Sequence, residues 1–397
     1  MSRPGRARGI RLGVALLAAA LASCRGCADG AGSDVRETAA KESDRTTGRR
    51  EVLDVESFRA RARVPAVGWA AVTRGSESSG AAGTADVERD EPAGATTAFE
   101  AASIAKTIIA TSVMQLVEEG KLALDADVSS YVGFAVRHPR APITLRHLLT
   151  HTAAIADGDE TRASGGPALG DFLGGYFADA GSRGIFLDAP PGTSMRYSNV
   201  GPSLAALAVE RVTGVHFAEH ARARVFAPLG MRATAFGLDA LAPGTRVAAP
   251  YAARGASFHR LPAPSHALYP VVDLFSSPRD LARFARAILR GGELDGARVL
   301  SQASVDEMLR VQLLDAAPDD ALGWQVRRFE GRLSGRARVV VGHEGEDAGA
   351  STGLYLDVAA GAGAIVVANG DAFQSGEADR AAALGDLVEH LLASAPR

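Results

Sequence analysis

Ser103-Ile104-Ala105-Lys106 opens a run in which Ile108, Ile109, Val113, Met114, Leu116 and Val117 recur at helical spacing until Gly120 ends it. A spacing of three puts Ser103 and Lys106 on one helix face. The start of a helix also leaves backbone N–H groups free for a developing oxyanion. A lysine buried beside a serine can activate its hydroxyl as a nucleophile. The plain alternative is an N-cap serine followed by a surface lysine. With three lysines in 397 residues, S-x-x-K arises by accident about once in five such chains. The motif therefore needs company.

Tyr197-Ser198-Asn199 supplies it. The chain has six tyrosines and only two asparagines, Asn199 and Asn369, so Y-x-N is expected by chance about 0.03 times per chain. It follows Pro190-Pro191-Gly192-Thr193 and precedes a helical pattern, which places it on a loop where polar side chains can converge on a cleft. A phenolate can take a hydroxyl proton when a neighbouring cation favours it, and Lys106 is the candidate cation. The alternative is a tyrosine packed on the core with Asn199 capping the next helix. His343-Glu344-Gly345 follows the strand-like Arg338 to Val341. H-x-G is expected about once per chain and says little alone; its value lies in its position and in glycines that admit close backbone approach.

In this order, S-x-x-K, Y-x-N and H-x-G resemble the class C β-lactamase-like branch of the penicillin-recognising serine hydrolases. The resemblance covers nearly all of residues 52 to 392. It extends to Leu145–Thr152, Pro190–Thr193, Phe226-Ala227-Pro228-Leu229-Gly230-Met231 and Asp280-Leu281-Ala282-Arg283-Phe284. It implies an α/β chain of the α+β type, with an antiparallel sheet flanked by helices and an inserted helical subdomain. It also implies acylation of Ser103, a base role shared by Lys106 and Tyr197, and substrate contacts from Asn199, His343, Gly345 and Glu346. The oxyanion would sit between the backbone N–H groups of Ser103 and Glu346. One departure stands out. True β-lactamases carry a lysine and a hydroxyl residue where this chain has His343 and Glu344. With Glu346 and Asp347, three acids crowd the position that receives a drug's carboxylate, which points to esters or D-amino-acid peptides over efficient β-lactam turnover.

The coarse pattern agrees with strands at both ends. Val67 to Thr73 and Ser78 to Ala85 read as a hairpin turning near Gly75, and Val339 to Val341, Gly353 to Val358 and Ala364 to Ala368 as three more strands. Helices are expected over Ser103 to Glu119, Leu204 to Val212, Ser277 to Leu289, Ser304 to Arg310 and Glu377 to Leu392, with Ser277-Pro278-Arg279-Asp280 resembling a capping box. If the terminal strands share one sheet, the helical middle is an insertion.

Ahead of this domain, residues 1–23 read as an export signal. Arg3, Arg6, Arg8 and Arg11 precede the apolar Leu12 to Ala22, a run too short to span a bilayer. Leu21-Ala22-Ser23-Cys24 resembles the bacterial lipoprotein signal, with Cys24 lipidated; an ordinary secretory signal cut nearby is the alternative. Residues 24–50 are polar and read as a flexible tether, leaving 51–397 as the hydrolase domain. The expectation is an exported envelope protein whose partners are a membrane, through the Cys24 anchor, and a small-molecule or peptide substrate.

Composition narrows the alternatives. With 43 basic and 46 acidic residues the formal net charge is −3, and no clustered basic excess suggests a nucleic-acid grip. Both cysteines, Cys24 and Cys27, precede the domain, so it has no disulfide or thiolate metal site. No cofactor is expected, and with no H-E-x-x-H, His147 and His151 read as core packing and loop hydrogen bonds rather than metal ligands. Asp157-Gly158-Asp159-Glu160 reads as a solvated loop. Gly349-Ala350-Ser351-Thr352-Gly353 matches a nucleophile elbow but opens a strand, not a helix. A catalytically silent, envelope-anchored binding domain on the same fold is the rival of another class.

Overall fold

Along the strand Ala66–Thr73 (β1), Ala66, Ala70 and Val72 fill one core while Val67 and Ala71 fill another, and all five are buried. Successive strand side chains point to opposite faces, so this sequence requires cover on both sides of its sheet. The computed structural model supplies that cover and describes residues 55–162, 165, 168–178, 184–372 and 378–395. These belong to one compact unit, Val52–Arg397. The expected signal, the tether and Cys24 lie outside the described residues.

The main sheet has seven strands. Besides β1 they are Glu77–Asp86 (β2), Glu91–Pro92 (β3), Gln325–Glu330, Ala337–Asp347, Ala350–Asp357 and Ala362–Ala368. Two-residue strand Phe99–Glu100 (β4), Ala235–Phe236 (β5) and Leu274–Ser276 (β6) form a small separate sheet in the order β4-β6-β5, so the last four strands of the large sheet are β7 to β10. Its order is β7-β8-β9-β10-β1-β2-β3, with every pair antiparallel. The first and last strands meet, Val67 opposite Ala368 through Thr73 opposite Ala362, so the helical middle is the insertion expected. Asn369 seals the junction: its Oδ1 accepts from the Ala66 N–H at 2.7 Å and its Nδ2 donates to the carbonyls of Thr84 and Ala85.

Helices Val55–Ala62 (α1) and Ala378–Ser394 cover one face. The other face meets Pro278–Leu289 and the helical body. The body is built on Ala105–Glu118 (α2); Leu145–Leu149 (α3) and α2 both pack against Val200–Thr213 (α4), and Pro278–Leu289 is then α5 and Ala378–Ser394 α6. All residues of α2 from Ala105 to Gln115 and Leu116 are buried, as expected of a helix surrounded by its own domain. Ser277 caps α5, its Oγ accepting from the Asp280 N–H at 3.1 Å. The reciprocal half of the expected box is missing. The Asp280 carboxylate instead accepts from the Ala233 N–H and the Thr234 hydroxyl, at 2.7 and 2.9 Å. Gly68 lets α5 approach the sheet: a Cβ there would lie 2.5 Å from Pro278 Cγ.

Candidate active site

The nucleophile candidate sits on a forced turn. Ala101 N–H donates to the Leu274 carbonyl at 2.6 Å, and the Thr352 hydroxyl donates to the Ala101 carbonyl at 2.9 Å. Between this anchor and α2, Ala102 adopts φ 44°, a left-handed conformation that costs a non-glycine residue about 1–2 kcal/mol. The chain then makes a 3₁₀ turn, Ala102–Ile104, before α2 begins at Ala105. The expected helix thus starts two residues after Ser103, and the serine lies in the tight turn at its mouth.

Lys106 is 0% exposed, and its Nζ donates to Ser103 Oγ at 2.8 Å and to the Val271 carbonyl at 3.3 Å. The Tyr197 hydroxyl reaches the same Oγ at 3.0 Å, and Lys106 Nζ lies 5.2 Å from the tyrosine ring centre. Ser103 itself is 7% exposed and Tyr197 39%, so the tyrosine lies on the solvent side and the lysine inside. Two groups able to take a proton touch one hydroxyl.

Tyr197 is held by residues whose part the sequence did not reveal. Its ring stacks on His151 at 4.3 Å between centres. His151 has φ 54°; its carbonyl accepts from the Arg196 N–H at 2.8 Å and its Nδ1 from the Ser198 N–H at 3.3 Å. Burial, reinforced by the charge of Lys106, holds this imidazole well below its usual pKa and keeps it neutral. Asp157 corrects the expectation of a merely solvated loop. Its carboxylate accepts from Ser198 Oγ at 2.5 Å and from the N–H groups of Asn199 and Val200 at 2.8 and 3.2 Å. It therefore supplies the cap of α4, the role the sequence offered to Asn199, whose side chain makes no cap bond.

The third motif lies on β8. A Cβ on Gly345 would fall 2.7 Å from the Ser103 nitrogen and 2.6 Å from Thr352 Oγ1, so only glycine lets this strand lie against the serine. His343 is buried, its Nδ1–H donating to the Glu344 carbonyl at 2.5 Å, and its ring centre is 6.4 Å from that of Tyr197. Burial and then Lys106 push its pKa down to about 3.

The three neighbouring acids do not act alike, which corrects the view of one repulsive cluster. Glu344 accepts from the Tyr355 hydroxyl at 3.0 Å and pairs with Arg327 at 3.2 Å. Asp347 lies 3.1 Å from His266 Nε2, whose Nδ1 is 2.5 Å from Asp273. Burial opposes the His266 charge, but the two carboxylates outweigh it and lift the pKa to about 10. Behind them Glu100, 5% exposed, is held well above the ordinary carboxyl range by burial and by Asp347. Glu346 alone of the three has no ion pair among the described residues. It lines clefts of about 340 and 650 Å³, the smaller of them shared with Asn199. Ser351, in the elbow-like motif, is fully buried on β9. Among the described residues no group of three or more His, Cys, Asp or Glu is arranged to hold a metal ion.

A model of the family described as Beta-lactamase matches residues 54–388. The chain belongs to that family. It is a serine hydrolase of the β-lactamase and penicillin-binding-protein group, an enzyme that works by acyl transfer. Penicillin-binding protein 4 of Amycolatopsis lactamdurans is 33% identical over 283 residues, 67% of this chain and 70% of that protein. Esterase EstB of Burkholderia gladioli is 35% identical over 189 residues, so the match spans 43% of this chain and less than half, 46%, of the esterase. The structure of the D-amino acid amidase of Ochrobactrum anthropi SV3 superposes with a TM-score of 0.68 at 23% identity, over 86% of this chain and 98% of the amidase. That likeness establishes the shared fold.

Proposed function

We propose that Ser103 forms the acyl-enzyme, with Lys106 and Tyr197 handling its proton. The observation that carries this reading is the pair of contacts on Ser103 Oγ, 2.8 Å from Lys106 Nζ and 3.0 Å from the Tyr197 hydroxyl. Oγ attacks the acyl carbonyl and its proton passes to the Lys106–Tyr197 pair. The C–O or C–N bond of the tetrahedral intermediate then breaks, and the pair returns the proton to the departing alcohol or amine. Water repeats the sequence in reverse roles and frees the acid. The backbone N–H groups of Ser103 and Glu346 receive the oxyanion, a role consistent with the bare Gly345 against the Ser103 nitrogen. A silent binding domain is the weaker reading, because a fully buried lysine costs stability and its contacts here are the serine hydroxyl and one carbonyl.

For the substrate, we propose neutral esters or amides ahead of anionic β-lactams. His343, at the position where relatives bring a lysine, is neutral and tied to its own strand. Glu344 beside it has its charge matched by Arg327, so this stretch offers a carboxylate no net attraction. We also propose an envelope location through a lipid on Cys24, which rests on the sequence of residues 12–24. Turnover of a short 4-nitrophenyl ester tests the mechanism. Lys106→Ala and Tyr197→Phe should each lower kcat about 10²- to 10⁴-fold, the usual worth of a general base. Near-wild-type turnover by Lys106→Ala contradicts it.

A further inference from the structure

Three short segments each bring one part of the site. Residues 99–103 carry the serine turn, 271–274 carry the carbonyls that hold Lys106 and Ala101, and 345–347 end β8 beside the Ser103 nitrogen. Each segment also carries a carboxyl group that the reaction does not use: Glu100, Asp273 and Asp347. These acids meet in one place, and His266 is set among them. Its backbone N–H donates to Asp273 Oδ2 at 3.0 Å, its Nδ1 lies 2.5 Å from Asp273 Oδ1, and its Nε2 lies 3.1 Å from Asp347 Oδ2. Glu100 lies behind, against Asp347, within reach of the charges of Asp347, His266 and Asp273.

The end of β8 needs a tie of this kind. Up to Gly342 the strand is paired on both sides, with β7 and β9, but from His343 to Asp347 its pairing is with β9 alone. The part that presents Gly345 and Glu346 to the serine is thus held by one strand and by what its side chains grip. Carboxyl groups gathered this closely repel one another when ionised. A positive charge between them turns that repulsion into attraction. Asp273 is buried and His266 and Asp347 are partly so, which spares these pairs the screening that weakens exposed ones. An imidazolium also has two N–H groups on one rigid ring, so it can serve two segments at once.

We propose that His266 is a positioning residue: its imidazolium clasps Asp347, at the end of β8, to Asp273, on the segment that holds Lys106 and Ala101, and so fixes the Glu346 N–H relative to the Ser103–Lys106 pair. The inference rests on the acyl-enzyme reading and names what holds its two halves in register. The state of the groups agrees with it. Burial lowers the His266 pKa, but the two carboxylates outweigh it and lift it to about 10, so the ring is charged through the neutral range. Burial and Asp347 keep Glu100 in its acid form, which leaves the ring two ionised partners.

The test is turnover of the 4-nitrophenyl ester at pH 8 and pH 5.5. At pH 8 His266→Gln should lower kcat about 10²-fold, the effect of about 1 Å of misplacement, and leave KM within about threefold. At pH 5.5 the unclasped carboxylates regain protons and their repulsion fades, so the deficit against wild type should shrink to about tenfold or less. Adding Asp347→Asn to His266→Gln removes one of the repelling charges and should restore kcat at pH 8 at least about fivefold. Wild-type kcat in His266→Gln, or a loss that is equal at both pH values and unrelieved by Asp347→Asn, would overturn the proposal. Asp347→Ala keeps the cation but gives it nothing to hold on β8, and should cost about tenfold or more in kcat. Should His266→Gln not fold, wild-type kcat in Asp347→Ala overturns the proposal by itself. Labelling of wild-type Ser103 by a fluorophosphonate, run in parallel, separates the two failures. Labelling with a kcat that these substitutions leave in place sinks only the clasp, whereas no labelling sinks the acyl-enzyme reading.

Discussion

His343 and His151 both stand close enough to Lys106 to feel its charge, and each is kept neutral by burial and by that field. For His343 the consequence reaches folding. Its pKa is about 3 in the native state against an ordinary 6.5, so below pH 6.5 the unfolded chain gains a proton that the native chain refuses. Its contribution is intact above pH 6.5 and declines as pH falls towards 3, by at most about 1.4 kcal/mol per pH unit. Urea unfolding at pH 7, 5.5 and 4.5 should therefore give a shallower loss of stability for His343→Gln than for wild type. Identical pH slopes would contradict a buried neutral imidazole. At this scale the sequence announced Ser103, Lys106 and Tyr197 through rare residue types in order. It was silent on Asp157, because a carboxylate that caps a helix some 41 residues away in sequence leaves no local pattern.

Strand β8 carries the third motif and was the element least legible in advance. Only the stretch from Arg338 or Val339 to Val341 read as strand, yet the strand runs from Ala337 to Asp347. Its second half, Gly342 to Asp347, has two glycines and three acids, residues poor in intrinsic strand preference. Pairing with β9 from Val341 to Asp347 and with β7 as far as Gly342 imposes the conformation. β7 itself, Gln325–Glu330, was not foreseen: it is a charged edge strand, the form in which edges avoid unwanted pairing. The apolar strands β1, β9 and β10 and the helices α2 and α5 were legible because burial shaped their sequences directly. Gly345→Ala tests what β8 does for the site. The new Cβ would meet the Ser103 nitrogen and Ala101 oxygen at 2.7 and 2.9 Å, and displacing the strand by about 1 Å should lower kcat/KM about 10²-fold. A folded Gly345→Ala protein with wild-type kinetics would separate β8 from catalysis.

Across the molecule, the sheet brings β1 and β10 together, and the helical insertion places Ser103, Lys106 and Tyr197 against strand β8. The proposed envelope location rests on residues 12–24 of the sequence. Cys24→Ser should move the protein from the membrane fraction to a soluble exported one, since stable attachment needs more than one acyl chain on the anchor; unchanged membrane fractionation would remove the lipid anchor from the account. The central claim is chemical, and intact-mass measurement after fluorophosphonate treatment tests it most directly. Wild type should gain a single adduct located on Ser103, Ser103→Ala should gain none, and Lys106→Ala should gain it about 10²-fold or more slowly. An adduct on another residue, or one that forms equally fast without Ser103 or Lys106, would contradict it.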